Sequence, residues 1–317
     1  MRTMPRLKLD CENLLSDTSM DNKRIIFVPG KNPKPREDQH RALLWRALME
    51  GVRRAEPEIA RQLEGYADNF SVIPWNFLYY HEYKDISIDL PWIDALINQH
   101  GPTEQDVREA ESLHVKLDRA LLTLADIFHF LIPLLPEVVR NTAKEINRYF
   151  GNHDNIACEI RELLKKELRP LLSNNDKIML IGHSLGSVIA YDTLWELCHL
   201  EKLPGKVDVF LTIGSPLGMN YVQRRLKGTQ DHGKKHFPTN IKKWVNISSV
   251  GDAAALDRVF LDDFCPMLKL GIIESIEDHC QGIYNFFRNA EGLNVHRSYG
   301  YLVNPAVGKI IADWWQA

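Results

Sequence analysis

Three residues of this chain have the types and surroundings that nucleophilic attack on an acyl carbon requires: Ser184, Asp252 and His296. Ser184 stands in Gly182-His183-Ser184-Leu185-Gly186, a Gly-x-Ser-x-Gly pattern inside "KIMLIGHSLGSVIAYDTLW". A serine hydroxyl is a poor nucleophile at neutral pH and needs a base within hydrogen-bond reach, itself oriented by a carboxylate. Glycines on both sides let the backbone turn sharply, so that the serine oxygen stands clear with an amide beside it. Such a pentapeptide arises by accident in roughly one chain in ten of this length, given average glycine and serine usage. Its weight comes from its place, between an apolar run that reads as a buried strand and a segment with the apolar spacing of a helix. The competing reading is a tight turn that needed small residues.

The acid and the base must come from elsewhere in the chain. Asp252 lies in "VGDAAALD", just after the apolar run "WVNISSV", where a carboxylate would project from the same edge as Ser184. Asp257, Asp262 and Asp263 follow closely, and any of these carboxylates could instead be a solvated loop residue or a helix cap. His296 stands in "GLNVHRSYGYLVNPAVGKIIADWW", before a final amphipathic helix. Twelve histidines compete; the chain order Ser, Asp, His selects His296 over His183, His199 and His279. A second motif, Gly214-Ser215-Pro216, lacks a second glycine and a helix-starting pattern, and reads as a turn beneath the pocket rather than a second nucleophile. His232 and His236 are four apart in "DHGKKHF", but Gly233 and two lysines argue against a regular metal-binding helix. No P-loop or GxGxxG occurs. Neither a metal nor a cofactor is expected.

Alternating strands and helices would have to carry these residues. The apolar run 24–28 ends in Pro29-Gly30, followed by the polar "KNPKPRED" and a helix expected over 39–63, with Leu44, Leu48 and Val52 on its apolar side. "NFSVIPWNFLYY", residues 69–80, reads as a second strand, and "KIMLIG" as a third, with its helix over 187–200. "VDVFLTIGSP" and "IKKWVNISSVGD" follow as a fourth and fifth strand. Near-continuous Val, Ile and Leu runs separated by helices imply an α/β fold: a mostly parallel central sheet with helices on both faces. Residues 83–170 show helical patterns and no convincing strand, although a simple crossover needs only about a dozen residues. "NIACEIRELLKKELRPLL" reads as the crossover helix, with Ile156, Ile160, Leu163 and Leu164 on one stripe. What precedes it, about 83–155, reads as a helical cap inserted into one domain spanning 1–317. The cap is rich in Ile127, Phe128, Phe130, Leu131, Ile132, Leu134 and Leu135. Phe128, Phe130 and Leu131 are the expected substrate-binding residues, the alternative being that the whole run anchors cap to sheet.

Composition excludes several classes. The chain has 317 residues, 44% hydrophobic and 26% charged, enough to bury a sizeable core. Its 39 basic and 42 acidic residues are mixed along the length, for a formal net charge of -3, so no one-signed face is expected for nucleic acid or an anionic membrane. Five cysteines (Cys11, Cys158, Cys198, Cys265 and Cys280) lack CxxC spacing, and their odd number argues against a complete disulfide framework. "MRTMPRLKLDCENLL" has no continuous apolar core of a signal peptide. Residues 121–139 approach the ~20 a membrane span needs, but contain Asp126, His129, Glu137 and two prolines. A cytoplasmic chain without a transmembrane segment is expected.

In "VPGKN" after an early strand, "GHSLGS", "TIGSPLG", "SVGDAAAL" and "VHRSYGYL", the chain resembles the α/β-hydrolase superfamily, specifically its lipase- and esterase-like members. The motifs run from residue 24 to the C-terminus, and the cap is not matched. That resemblance implies Ser184 as nucleophile, Asp252 as acid and His296 as base, with main-chain amides of Leu185 and Lys31 forming the oxyanion hole. Many relatives carry His-Gly where this chain has Pro29-Gly30, which leaves Asn32 as the alternative to Lys31. The implied activity is hydrolysis of a small-molecule ester or acyl substrate through an acyl-enzyme, without cofactor. The same residues would serve an acyltransferase or a phospholipase or lipase, and a binding protein with a vestigial site is the non-catalytic alternative.

Overall fold

Six strands form one sheet: β1 (Lys23–Val28), β2 (Phe70–Val72), β3 (Lys177–His183), β4 (Val207–Ile213), β5 (Ile241–Ile247) and β6 (Ser275–His279). This computed structural model describes residues 22–112, 137–255 and 258–317. The strand order is β2-β1-β3-β4-β5-β6 and every pairing is parallel. A separate antiparallel ladder joins β7 (Arg288–Asn289) to β8 (Gly292–Leu293).

The helices α1 (Glu37–Ala55), α2 (Pro57–Leu63), α3 (Trp75–Tyr80), α4 (Leu90–Asn98), α5 (Glu104–Ala110) and α6 (Glu137–Gly151) precede β3, with α7 (Ile156–Asn174) leading into it. After β3 come α8 (Leu185–His199), α9 (Asn220–Gln223), α10 (Phe260–Lys269), α11 (Ser298–Leu302) and α12 (Pro305–Gln316). Alternate strand residues feed opposite layers. Ile26, Ile178, Leu180, Phe210 and Trp244 pack with α7, α8 and α10, whereas Ile25, Met179, Ile181, Leu211 and Val245 pack with α1 and α12. A strand covered on both faces has no solvent side to make polar, which is why these strands read as continuous apolar runs.

Two local expectations are corrected and one strand is added. The helix expected over 39–63 is two, because Pro57 has no N–H to donate back along the helix; the chain leaves helical geometry at Glu56 and restarts with Pro57 in the first turn. The strand expected over 69–80 pairs only over Phe70–Val72, and its aromatic remainder is α3, starting after Pro74. β6 was not expected at all: "SIEDH" is a half-exposed edge strand with one neighbour and needs no apolar run. Of the expected cap, Ile93 of α4 belongs to the α1/α12 core and Ile146 and Tyr149 of α6 to the α7/α8 core. Phe128, Phe130, Leu131 and the rest of the apolar cap run lie outside the described residues.

The chain passes from β1 to β2 on one side and then to β3 on the other. The reversal falls at the carboxyl ends of β1 and β3, the place where open parallel sheets bind their ligands. Residues 29–32 follow the end of β1 there, and Ser184 follows the end of β3.

Candidate active site

Ser184 links the end of β3 to α8 with φ 52° and ψ -128°, a conformation that costs a non-glycine residue about 1–3 kcal/mol. The flanking glycines are explained by packing. A Cβ on Gly182 would lie 2.6 Å from Ser187 Cα, and one on Gly186 would strike the Val28 carbonyl oxygen. What packing leaves unexplained is a side-chain-bearing residue at the strained position between them. Its main chain is held on both sides: Ser184 N–H donates to Ile213 O at 3.2 Å, and its carbonyl accepts from Ser187 N at 2.9 Å and Ser187 Oγ at 2.6 Å.

The hydroxyl meets His296, with Oγ and Nε2 2.9 Å apart. Across the ring, Nδ1 lies 2.9 and 3.0 Å from the two oxygens of Asp252. An ionised carboxylate only accepts, so Nδ1 carries the ring proton and donates it, and Nε2 accepts from Ser184. Asp252 is 0% exposed. Burial alone would raise its pKa, but His296 alongside, the Tyr301 hydroxyl at 2.6 Å and the Ala254 amide at 2.9 Å outweigh it and hold the carboxyl below its ordinary value. Strand order explains how these groups meet. Ser184 follows β3, Asp252 follows β5, and Gly214 follows the intervening β4, over which His296 bridges.

The loop that carries His296 is tied down independently. Its amide donates to Asn294 Oδ1 at 3.2 Å, and its carbonyl accepts from His183 Nε2 at 2.8 Å. A carbonyl has no proton to give, so His183 holds its proton on Nε2. Burial, with His296 nearby, pushes the His183 pKa well below the ordinary value. Ser249 Oγ donates to Val295 O at 2.7 Å, and Ser249 N–H to Tyr301 Oη at 2.9 Å. Tyr301 thus joins the Asp252 loop to α11, and sequence reasoning missed it. Its only signal was proximity to His296 in "VHRSYGYL".

The expected oxyanion donors divide. Leu185 opens α8, and its amide is among the first-turn N–H groups that have no carbonyl within the helix. Asn32, the alternative to Lys31, has its N–H engaged elsewhere, donating to Tyr80 Oη at 3.0 Å. Lys31 follows Gly30, which packs directly on Ser184: a Cβ built at Gly30 would lie 2.9 Å from Ser184 Cβ.

The competing residues are engaged elsewhere. His199 faces Phe237 O at 2.8 Å, and His279 ends the edge strand β6. Asp262 and Asp263 lie in the first turn of α10, Asp263 accepting from Gln223 at 2.7 Å; Asp257 lies outside the described residues. Ser215 is buried with its hydroxyl 2.7 Å from Ser187 Oγ and accepts from Leu217 N at 3.2 Å, as a turn residue would. His232 precedes and His236 ends a single 3-10 turn, Gly233–His236; among the described residues no group of three His, Cys, Asp or Glu side chains is placed to hold a metal ion. None of the described helices is long and apolar enough to cross a membrane. No protein-family model matches this chain, nor does any curated protein or solved structure.

Proposed function

We propose that this protein is a serine carboxylic-ester hydrolase of the α/β-hydrolase type, with Ser184 as nucleophile, His296 as base and Asp252 as the acid that orients it. One observation carries the reading: a single imidazole joins the hydroxyl of a strained serine to a fully buried carboxylate, with 2.9 Å on each side. A decoration of a tight turn would need neither the strain nor the alignment.

In the proposed reaction Ser184 Oγ attacks the ester carbonyl carbon as its proton passes to His296 Nε2. The carbonyl π electrons move onto oxygen, which rests on the amides of Leu185 and Lys31. Collapse of this intermediate expels the alcohol, which takes the proton from Nε2 and leaves an acyl-serine. Water then repeats the cycle, giving its proton to Nε2 and releasing the acid and free Ser184. Asp252 stays ionised throughout and stabilises the imidazolium. The chemistry requires no cofactor.

A fluorophosphonate probe and a graded series of p-nitrophenyl esters, with a phospholipid and a thioester beside them, test this. The probe should label Ser184, and Ser184→Ala and His296→Ala should each abolish nearly all turnover. The double variant should be little worse than either single one, because members of one proton-transfer unit are not additive. Losses that multiply would break the unit apart. Absence of both label and turnover would leave a vestigial binding site, and preferential transfer to added alcohols or amines would make the protein an acyltransferase.

A further inference from the structure

Within that hydrolase reading, we propose that Asn76 is the positioning residue that aims the Lys31 amide at the oxyanion. Three side chains of α3 grip the loop that follows β1. Trp75 Nε1 donates to Pro29 O at 2.8 Å, Asn76 Nδ2 donates to both Gly30 O at 2.8 Å and Asn32 O at 2.9 Å, and Tyr80 Oη accepts from Asn32 N. Lys34 Nζ donates to the remaining carbonyl, Lys31 O, at 2.6 Å. Every carbonyl from 29 to 32 therefore has a donor.

The Gly30–Lys31 peptide is the one that matters. No described peptide bond is cis, so the C=O of Gly30 and the N–H of Lys31 point in opposite directions. Asn76 draws that carbonyl toward α3, which follows β2. The Lys31 N–H therefore points away from α3, and Gly30, whose Cβ position lies 2.9 Å from Ser184 Cβ, sets this peptide beside Ser184. Rotation of this peptide plane would take the amide away, and the glycine on its N-terminal side lowers the barrier to such rotation. Asn76 opposes it by holding Gly30 O and Asn32 O at once.

Asn76 is a costly space-filler. It is 2% exposed, and its Oδ1 has no hydrogen-bond partner among the described residues. A leucine would fill the volume without an orphaned acceptor. The value of the amide lies in its two N–H groups.

Asn76→Asp, which keeps the shape and replaces the donor, and Asn76→Ala are compared with wild type and with Trp75→Phe. Removing an oxyanion donor outright costs about 10²–10³-fold in kcat, so loosening one should lower kcat about 10–100-fold in both Asn76 variants. KM should stay within about twofold, since the donor acts on the transition state. The pH midpoint of kcat/KM should not move in Asn76→Ala, which adds no charge and leaves the triad untouched. Affinity for a trifluoromethyl ketone, whose serine adduct carries the oxyanion, should fall by the same factor as kcat/KM. Trp75→Phe frees Pro29 O, whose plane does not contain the Lys31 amide, and should keep kcat within about threefold. Unchanged kcat in both Asn76 variants overturns the proposal, as does a kcat loss without matching loss of ketone affinity. Either leaves the hydrolase reading intact when wild type labels and turns over. A wild type that does neither takes both down.

Discussion

One methyl group added at Gly214 should disrupt the hydrogen-bonded chain from Asp252 to Ser184. Gly214 has φ +55°, and a Cβ built there would lie 2.8 Å from Asp252 Oδ2, 3.1 Å from His296 Nδ1 and 3.1 Å from Tyr301 Cε2. Favourable contact distances for such atoms begin near 3.5 Å, so roughly half an ångström or more must be found among the three neighbours. Asp252 and Tyr301 cannot swing into open solvent, and any retreat of the part-exposed His296 ring breaks its contact with Asp252. Asp252 is fully buried and bonded to Tyr301 and Ala254, and Tyr301 is itself 0% exposed. The displacement therefore falls on the His296–Asp252 contact or on the end of β4. A misplacement near 1 Å can cost about 10²-fold in catalysis, and complete loss of the acid about 10⁴-fold, so Gly214→Ala should lose about 10²-fold in kcat. The positive φ adds a stability cost of roughly 1–2 kcal/mol. Gly282 separates the two effects: its φ is +68° and nothing stands within 4 Å of its Cβ position. Gly282→Ala should show the same order of stability loss in urea titration with ester turnover and fluorophosphonate labelling unchanged. Gly214→Ala retaining turnover within about threefold, or Gly282→Ala losing as much as Gly214→Ala, would refute the reasoning.

Tyr301→Phe removes a donor from the buried Asp252 carboxylate and the acceptor of Ser249 N, and should destabilise the protein by about 1.5–3 kcal/mol at pH 7; a loss below about 0.5 kcal/mol would contradict the assigned bond. Stability should also fall as the solution is acidified below about pH 6.5. Burial holds the pKa of His40 and of His183 well below the ordinary 6.5, helped by Lys34 and Arg297 near the first and His296 near the second. Below that pH the unfolded chain takes up protons that the folded chain refuses, so each histidine removes about 1.4 kcal/mol per pH unit until its folded pKa is reached. Asp192, pushed up to about 6 by burial, acts in the opposite sense, its protonation favouring the folded state, but only below that pH. Urea midpoints at pH 7.5, 6.5 and 6.0 should show the decline, and His40→Gln should shallow it; an unchanged slope in that variant would remove His40 from the account.

What the sequence by itself determined is local. Runs such as "KIMLIG" and "VDVFLTIG" could only be strands buried on both faces, and the glycines around Ser184 marked the one turn where a nucleophile could stand at a strand end. Its place after the "WVNISSV" run picked Asp252 and chain order picked His296, and the structure brings His296 to Ser184 across 112 residues of sequence and Asp252 to His296 across 44. The tertiary structure decided whatever depends on which elements become neighbours. An aromatic run such as "WNFLYY" suits strand or helix equally, and it is helix here because its Trp75, Asn76 and Tyr80 side chains meet the loop after β1. A polar edge strand such as β6 is specified by its partner's hydrogen bonds and leaves almost no pattern. The engagement of the Asn32 amide by Tyr80, the support of Asp252 by Tyr301 and the grip of Asn76 on Gly30 are likewise invisible in one dimension. Each is a single hydrogen bond between segments that only the β2-β1-β3-β4-β5 order brings together, and a hydrogen bond acts over about 3 Å of space whatever the distance along the chain.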